Sequence, residues 1–315
     1  METGPSPPYT LVTIRIPKSE PSFSSPTKII AVGDLHGNYM GFLKILLHAG
    51  IIDNRGHWQA KNTCLIQLGD ILGRGGEPGK IFRLLQHLAG EAPGNDSSVQ
   101  VLLGNHEAMS MSGLLMYNTV EEFRDLAEEG FLDPRDLSGD LEFCFTLSPL
   151  GDLGKWLRSH DSAVVINETL FVHGGLNREY GCKPLDRLNR QIQNALAGYT
   201  PLDVNRDLML KQDGPQWNRD FVLRPTEEKE SELEEVLNYH GCRRMVVGHT
   251  PTSCIDSAHV GRIVPLYDGK LLCIDTGIGK SYGGNLSALS LAGGEVLALY
   301  PEGAPCPLPE GLVPS

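Results

Sequence analysis

Five short segments rich in glycine, aspartate and histidine each follow an apolar run in this chain of 315 residues. The segments are GDLHGN (33–38), GDILGRG (69–75), GNHE (104–107), HGG (173–175) and GHT (248–250), and the preceding runs are KIIAV, TCLIQL, VQVLL, ETLFV and RRMVV. Short apolar runs bounded by turn residues are typical of buried strands. Because strand ends gather at one edge of a sheet in α/β proteins, the pattern predicts one polar site to which five strands contribute.

The first 80 residues alternate strands with helices. YMGFLKILLHAG and GKIFRLLQHLAG carry apolar residues at helical spacing and end in glycine, which predicts βαβ units and a largely parallel sheet. After residue 163 the chain reads AVVIN-ET-LFV, a predicted hairpin, and then KLLCID, LSALSL and EVLALY, strands with no helix between them. We therefore predict an α/β fold in which a second, more antiparallel sheet completes a two-sheet sandwich flanked by helices.

The organisation of the chain predicts one domain over residues 28–300, since no linker clearly divides it. Two helical insertions are expected inside this domain, near 107–160 and 176–241, because these stretches separate consecutive motifs. Residues 1–27 and 301–315 contain proline-rich stretches that cannot build much core, so we predict an N-terminal tail and a C-terminal tail.

The composition limits the partners and the location of the protein. Its formal net charge of −12 argues against nucleic acid as a partner, because nucleic acid binds basic surfaces. An anionic substrate stays possible, since bound dications can dominate the local charge. No uncharged apolar run reaches the ~18 residues that a membrane span needs, and METGPSPPYT lacks the features of a signal peptide. Because the seven cysteines form no CxxC pair, we expect a reducing, cytoplasmic location.

The five segments supply the carboxylate, amide and imidazole donors that Mn²⁺, Fe²⁺ and Zn²⁺ bind. These donors belong to Asp34, His36, Asp70, Asn105, His173 and His249. Asp70 has two carboxylate oxygens and no other ligand in its segment, so we predict that it bridges two ions. Two ions ~3.5–4 Å apart would hold both the attacking and the leaving oxygen of an in-line displacement, and a hydroxide between them would be the nucleophile.

Three further residues are candidates for catalysis. His106 follows the ligand Asn105, so it should lie beside the metals, where it can protonate the leaving oxygen. Arginine suits the non-bridging phosphate oxygens because its guanidinium binds two of them at once, and Arg74 and Arg219 are the candidates. Each motif taken singly is more often a turn or a structural residue, but five in this order indicate a phosphoesterase.

A methionine-rich stretch follows GNHE in the sequence. It contains Met109, Met111, Leu114, Leu115 and Met116. These side chains could line a substrate groove. Apolar residues at helical spacing more often face a core, so we favour packing.

The five motifs together resemble the signature of the calcineurin-like metallophosphoesterases, and within them that of the phosphoprotein phosphatase family. The resemblance covers residues 28 to 292 approximately. The stretches SPLGDLGKWLRSHDSAVVINETLFVHGGLN and DGPQWNR are most similar to the Shewanella-like phosphatase subgroup of bacteria and plants. This resemblance implies the metallophosphoesterase fold and two divalent metal ions.

The resemblance also implies a role for each motif residue. The first ion would take Asp34, His36 and Asp70, and the second would take Asp70, Asn105, His173 and His249. His106 would be the general acid and Arg74 would bind the phosphate. Arg219 is a looser match, to the arginine of a tryptophan-x-arginine motif in phage-type members.

One position departs from the pattern of the resembled family. The second motif of that family usually reads GDxxDRG, and its second aspartate orients the catalytic histidine, but Gly73 stands there in this chain. His106 would then lack its usual carboxylate partner, and Asp275, at the end of the strand KLLCID, is one candidate replacement. Replacing Gly73 by aspartate should raise the rate if the acid is impaired. IDTGIGKSYGG also stands where eukaryotic members carry SAPNY.

These observations predict a dinuclear-metal-dependent phosphomonoesterase. We expect a protein phosphatase that acts on phosphotyrosine or phosphoserine/threonine, with manganese as the metal and iron or zinc as alternatives. A small-molecule phosphoesterase, such as a dinucleoside polyphosphate hydrolase, would use the same metal site. A non-enzymatic pseudophosphatase scaffold is the third hypothesis, and Gly73 is the reason to keep it.

Overall fold

The structure, a computed structural model, describes residues 25–131, 140–197, 208–301 and 306–307. Most of the predicted tails, and part of each predicted insertion, lie outside these residues. The domain limits at 28 and 300 therefore stay a prediction. No helix in the described ranges is long and apolar enough to cross a membrane.

The described ranges contain the following strands and α-helices. The strands are β1 (Lys28–Val32), β2 (Thr63–Gln67), β3 (Ser98–Val101), β4 (Ala163–Ile166), β5 (Thr169–Val172), β6 (Arg244–Val247), β7 (Val264–Leu266), β8 (Leu271–Cys273), β9 (Ala288–Ala292), β10 (Glu295–Leu299) and β11 (Cys306–Pro307). The helices are α1 (Tyr39–His48), α2 (Pro78–Glu91), α3 (Asn105–Met111), α4 (Val120–Glu128), α5 (Asp140–Thr146), α6 (Asp152–Arg158), α7 (Arg178–Gly181), α8 (Leu185–Leu196), α9 (Asp220–Leu223) and α10 (Glu227–His240).

The first sheet has the strand order β11-β10-β9-β1-β2-β3. Strands β1, β2 and β3 are parallel, as predicted, because α1 and α2 return the chain between them. Helix α1 begins where the Asn38 side chain accepts a hydrogen bond from the backbone N–H of Gly41. Helix α2 begins with Pro78, which suits a first turn because proline has no N–H to leave unpaired.

The second sheet has the strand order β4-β5-β6-β8-β7 and is mixed. Strands β4 and β5 form the predicted antiparallel hairpin. Strands β5, β6 and β8 are parallel, because helices α7 to α10 carry the chain back between β5 and β6. The two sheets and the helices around them confirm the predicted sandwich.

The prediction for the last strands was wrong in one respect. The segments LSALSL and EVLALY, which contain β9 and β10, were expected in the second sheet beside KLLCID. Instead β9 pairs antiparallel with β1, and β10 pairs with β9, so both extend the first sheet. This pairing covers the side of β1 that β2 leaves open, and it accounts for the more parallel character of the second sheet.

Alternation of side chains along the strands builds the core in two layers. In β1, Ile29 and Ala31 belong to a buried cluster that also contains Phe171 of β5 and Val246 of β6, so they face the other sheet. Ile30 and Val32, on the other face of β1, belong to the larger cluster that includes the helices. Strand β1 is thus buried on both faces, and the turn after its carboxyl end carries polar side chains.

Candidate metal centre

All five motifs meet at the carboxyl ends of β1, β2, β3, β5 and β6. The backbone N–H of His36 donates to the carbonyl of Asp70 at 2.9 Å, and the N–H of His106 donates to Oδ1 of Asp70 at 2.9 Å. Nε2 of His173 lies 3.3 Å from the same Oδ1. The predicted ligands, Asp34, His36, Asp70, Asn105, His173 and His249, are all buried here and are called the metal centre below.

Asp70 stands between two groups of histidines. Its Oδ1 faces His173, whereas its Oδ2 lies 3.8 Å from Nε2 of both His36 and His106. In the group of His36, Asp70 and His106, the possible ligand atoms all lie within 4.8 Å of one another, and the same holds for Asp70, His173 and His249. One carboxylate shared by two such groups is the arrangement expected of a bridging ligand.

The tautomers of two histidines are fixed by backbone carbonyls. Nδ1 of His36 lies 3.0 Å from the carbonyl oxygen of Leu72, and Nδ1 of His173 lies 2.8 Å from that of Leu68. A carbonyl oxygen can only accept, so each Nδ1 must carry the hydrogen. In neutral His36, Nε2 is then left with a free electron pair for a metal. Nε2 of His173 also faces acceptors, Oδ1 of Asn105 at 3.0 Å and Oδ1 of Asp70 at 3.3 Å, so it must lose a hydrogen before it can bind a metal.

The remaining ligands are held by other contacts. Oδ1 of Asn105 lies 3.0 Å from Nε2 of His173, and the carboxylate of Asp34 accepts from the N–H of His249 at 3.1 Å. Nε2 of His249 accepts a hydrogen bond from Nε of Arg219 at 2.9 Å. A neutral imidazole that binds a metal through one nitrogen carries its hydrogen on the other, so the Arg219 contact must break when His249 binds a metal.

The charges at the metal centre favour cations. Burial and the nearby charge of Asp275 raise the pKa of Asp34 well above its usual range, and burial raises the pKa of Asp275 to about 7. Burial opposes the protonation of His173, but Asp70 and Asp34 outweigh it and raise the pKa of His173 to about 10. Bound dications would neutralise these carboxylates. The donors and the charges therefore fit a pair of divalent metal ions.

His106 lies beside this centre, and among the described residues no carboxylate contacts its Nδ1. Its ring centroid is 4.8 Å from that of His36 and 5.2 Å from that of Tyr117, and burial lowers its pKa to about 4. Gly73 has a φ of 79°, and a Cβ atom there would overlap Nδ1 of His106. An aspartate at position 73 would therefore require His106 to move, and whether it raises the rate stays a prediction.

Asp275 does not take the place of the missing aspartate. Its carboxylate accepts from the N–H of Gly277 at 3.1 Å, and its charge acts on Asp34. No hydrogen bond or ion pair among the described residues joins it to His106. Asp275 follows β8 in the second sheet, where a Cβ atom on Gly33 would lie 3.4 Å from the Cα of Asp275.

Arg74 is held at the open side of the metal centre by two tyrosines that were not predicted. Its Cζ lies 4.1 Å from the ring centroid of Tyr117 and 5.7 Å from that of Tyr282. The ring of Tyr282 lies 5.1 Å from that of His36, which links the guanidinium to the metal ligands. Tyr282 belongs to IDTGIGKSYGG, the segment that stands where eukaryotic members carry SAPNY. That correspondence was the sequence signal that could have identified Tyr282.

Two buried glutamates also escaped the prediction. Glu107, the last residue of GNHE, accepts hydrogen bonds from four backbone N–H groups, those of Asp70, Ile71, Leu72 and Gly104. Glu122 of α4 accepts from the N–H of Gly73. Both carboxylates thus fix the loop after β2, and the pattern GNHE, a glycine followed three residues later by glutamate, could have suggested a helix cap for the first of them.

The methionine-rich stretch divides between the two interpretations. Met109 is buried, and Met111 and Leu115 pack against the core, as favoured. Leu114 and Met116 are exposed, so for these two residues packing was the wrong choice.

Known proteins resemble this chain in sequence and in fold. A family model for calcineurin-like phosphoesterases matches residues 27–253. Shewanella-like protein phosphatase 2 of Arabidopsis thaliana is 27% identical over 292 residues, which covers 82% of this chain and 73% of that protein. Shewanella-like protein phosphatase 1 of Plasmodium berghei is 30% identical over 232 residues, which covers 71% of this chain and 61% of that protein.

A solved structure has the same fold. The cold-active protein-tyrosine phosphatase of a psychrophile Shewanella species matches with a TM-score of 0.75 and 24% identity, over 90% of this chain and 80% of its own. The family model spans most of the chain and includes all five motifs. The chain therefore belongs to the calcineurin-like phosphoesterase family and is a metal-dependent phosphatase.

Proposed function

We propose that this protein is a dinuclear-metal phosphomonoesterase that removes phosphate from tyrosine, or from serine and threonine, in proteins. The observation that carries the proposal is the position of Asp70, whose two oxygens face two separate groups of histidines. The relatives named protein phosphatases, and the similar structure named a tyrosine phosphatase, favour a protein substrate.

The residues of the chain would divide the chemistry among them. Two bound divalent ions would supply an activated water and neutralise charge on the phosphate. Arg74 would bind the non-bridging phosphate oxygens, because its exposed guanidinium has no carboxylate partner among the described residues. His106 would give a proton to the leaving oxygen from Nε2, since its Nδ1 lies against Gly73. A dianionic phosphate nearby would counteract the burial that keeps His106 neutral.

We further propose manganese as the metal and a reducing, cytoplasmic setting. The donors are oxygens and nitrogens without thiolate, a set that suits Mn²⁺. Cys64 and Cys273 are buried free thiols, which is compatible with a reducing compartment. The net charge of −12 gives no support to nucleic acid as a partner.

Mn²⁺-dependent hydrolysis of p-nitrophenyl phosphate tests the roles of Asp70 and His106. We expect kcat/KM to fall by at least about a hundredfold in Asp70→Asn and in His106→Asn, because each change removes a group at the reacting centre. Asp152→Asn, at a carboxylate whose side chain is 99% exposed, should leave kcat/KM unchanged. Full activity in either of the first two variants would overturn the proposed roles, and a panel of phosphotyrosine and phosphoserine peptides would define the substrate.

A further inference from the structure

A cavity lies next to the metal centre, at the N-terminal end of α1. Its volume is about 530 Å³, and it opens between α1 and the segment from residue 280 to residue 286. Lys44, Arg262 and Lys280 line it together with Asn38 and Tyr300. We call this cavity the cationic pocket, because its lining contains three cations and no acidic residue.

The charge of the cationic pocket is opposite to that of the whole molecule. The chain has 39 acidic and 27 basic residues, yet this lining has only basic ones. Lys44, Arg262 and Lys280 are exposed, and none of them forms an ion pair within the described ranges. Such a concentration of unpaired positive charge raises the local concentration of anions.

The walls of the cationic pocket are held in place by the fold. The N–H of Ile263 donates to the hydroxyl of Tyr300 at 3.0 Å, and Cζ of Arg262 lies 4.7 Å from the ring centroid of Tyr300. The N–H of Asn285 donates to the carbonyl of Gly277 at 2.9 Å. Arg262 and the backbone of the wall are therefore in place before an anion enters, which lowers the entropic cost of binding.

Only a thin wall separates the cationic pocket from the metal centre. Asn38, two residues after the ligand His36, donates from Nδ2 to the carbonyl of Ile278 at 2.7 Å. A Cβ atom on Gly279 would lie 2.8 Å from Cβ of His36, so the backbone before Lys280 touches this ligand. The cationic pocket and the metal centre are therefore immediate neighbours in the fold.

We propose that the cationic pocket binds aspartate or glutamate side chains next to the phosphorylated residue of a protein substrate. This inference rests on the proposed function and adds a substrate class to it, phosphoproteins with acidic flanks. Lys44, Arg262 and Lys280 contribute by long-range attraction and by charge-assisted hydrogen bonds to the carboxylates.

The experiment compares two phosphotyrosine peptides that differ only in having glutamate or glutamine at the flanking positions. The wild-type protein should have a higher kcat/KM for the glutamate peptide, and this preference should decrease at high salt. The double variant Lys44→Glu/Arg262→Glu should lower kcat/KM for the glutamate peptide about tenfold. Its activity on p-nitrophenyl phosphate, which does not reach the pocket, should be unchanged. Lys61→Glu, an exposed lysine at the opposite end of the sheet, is the matched control.

A binding measurement separates this inference from the proposed function. A glutamate-rich peptide without phosphate should bind the wild-type protein and should bind the double variant more weakly in fluorescence anisotropy. Equal kcat/KM for the two phosphopeptides in the wild-type protein, together with equal peptide binding by both proteins, would overturn the inference. If the wild-type protein hydrolyses no substrate but still binds the glutamate-rich peptide more tightly than the double variant does, only the proposed function would be overturned.

Discussion

The loop after β2 and the loop after β6 each present a predicted metal ligand from a strained backbone. Asp70 has a φ of 54° and His249 a φ of 63°, in the left-handed region that non-glycine residues rarely adopt. The loop after β2, residues 69–76, is long and irregular, whereas residues 248–250 make a short turn. Both loops need partners for their backbone N–H groups, and they find them in different ways.

The loop after β2 depends on carboxylates that take no part in metal binding. Glu107 of α3 and Glu122 of α4 accept hydrogen bonds from the backbone N–H groups of this loop. The loop after β6 depends on a predicted ligand instead, since Asp34 accepts from the N–H of His249. The comparison teaches that the first loop can be disturbed without touching a ligand, whereas the second is coupled directly to the metal centre.

The largest effect is expected from Glu107→Gln. Glutamine offers one oxygen to four backbone donors, and its NH₂ group would face two N–H groups that then lose their acceptor. Leaving buried donors unpaired should lower the free energy of unfolding by about 3 kcal/mol, with loss of most activity, because Asp70 moves with the loop.

Thr250→Val, in the loop after β6, is the control for this change. Oγ1 of Thr250 is buried and has no hydrogen-bond partner among the described residues, so we expect a change of less than about 1 kcal/mol. Urea unfolding curves of both variants test the comparison. Equal destabilisation by the two substitutions would contradict the dependence of the first loop on its glutamate.

A smaller loss of stability but a large loss of activity is expected from Gly73→Ala. Gly73 and Gly113 share a φ of 79°, so alanine is strained equally at both positions, by about 1–2 kcal/mol. Only at position 73 does the added Cβ meet His106, whereas nothing lies within 4 Å of a Cβ at position 113. We expect kcat on p-nitrophenyl phosphate to fall at least about tenfold in Gly73→Ala alone. Equal kcat in the two variants would show that His106 adapts without cost.

The sequence predicted those site residues whose pattern lies in neighbouring positions of the chain, and it missed contacts between distant positions. Asp70 and His173 were found because an apolar run and the turn after it are adjacent in the chain. Glu107 and Glu122 act on backbone groups 37 and 49 residues away, at Asp70 and Gly73, so no local pattern reveals their partner. The sheet of β9 was misplaced for the same reason, since its pairing with β1 joins the two ends of the domain.

Glu122, the second glutamate that binds the loop after β2, is expected to make the free energy of unfolding depend on pH. Burial raises the pKa of Glu122 from 4.5 to about 7, so the folded protein keeps this proton over a range in which the unfolded chain has lost it. The contribution of Glu122 to the free energy of unfolding therefore decreases as the pH rises from about 4.5 to 7. Glu122→Gln should make that decrease shallower when urea unfolding is measured at pH 5, 6 and 7.

The neighbouring Glu121 provides the control for this pH effect. Hydrogen bonds from its own backbone N–H and from Thr119 lower the pKa of Glu121, so it stays ionised over the same range. Glu121→Gln should keep the pH dependence of the wild-type protein. An unchanged slope in Glu122→Gln would mean that the other buried acids, such as Asp275, account for it.

The smallest effect is expected from Arg219→Ala beside the loop after β6. Unlike the other substitutions, this one should improve a property of the protein, its affinity for Mn²⁺. The contact of Arg219 with Nε2 of His249 must break before His249 binds a metal, and the guanidinium charge also repels a dication. Removing it should strengthen Mn²⁺ binding about two- to fivefold while raising KM for p-nitrophenyl phosphate, because a phosphate-binding group is lost. Arg224→Ala, at a side chain that is 78% exposed, is the control and should change neither quantity in calorimetric titration and kinetics. Weaker Mn²⁺ binding in Arg219→Ala would mean that Arg219 supports His249 as a ligand, and the second loop would then depend on an outside partner as the first one does.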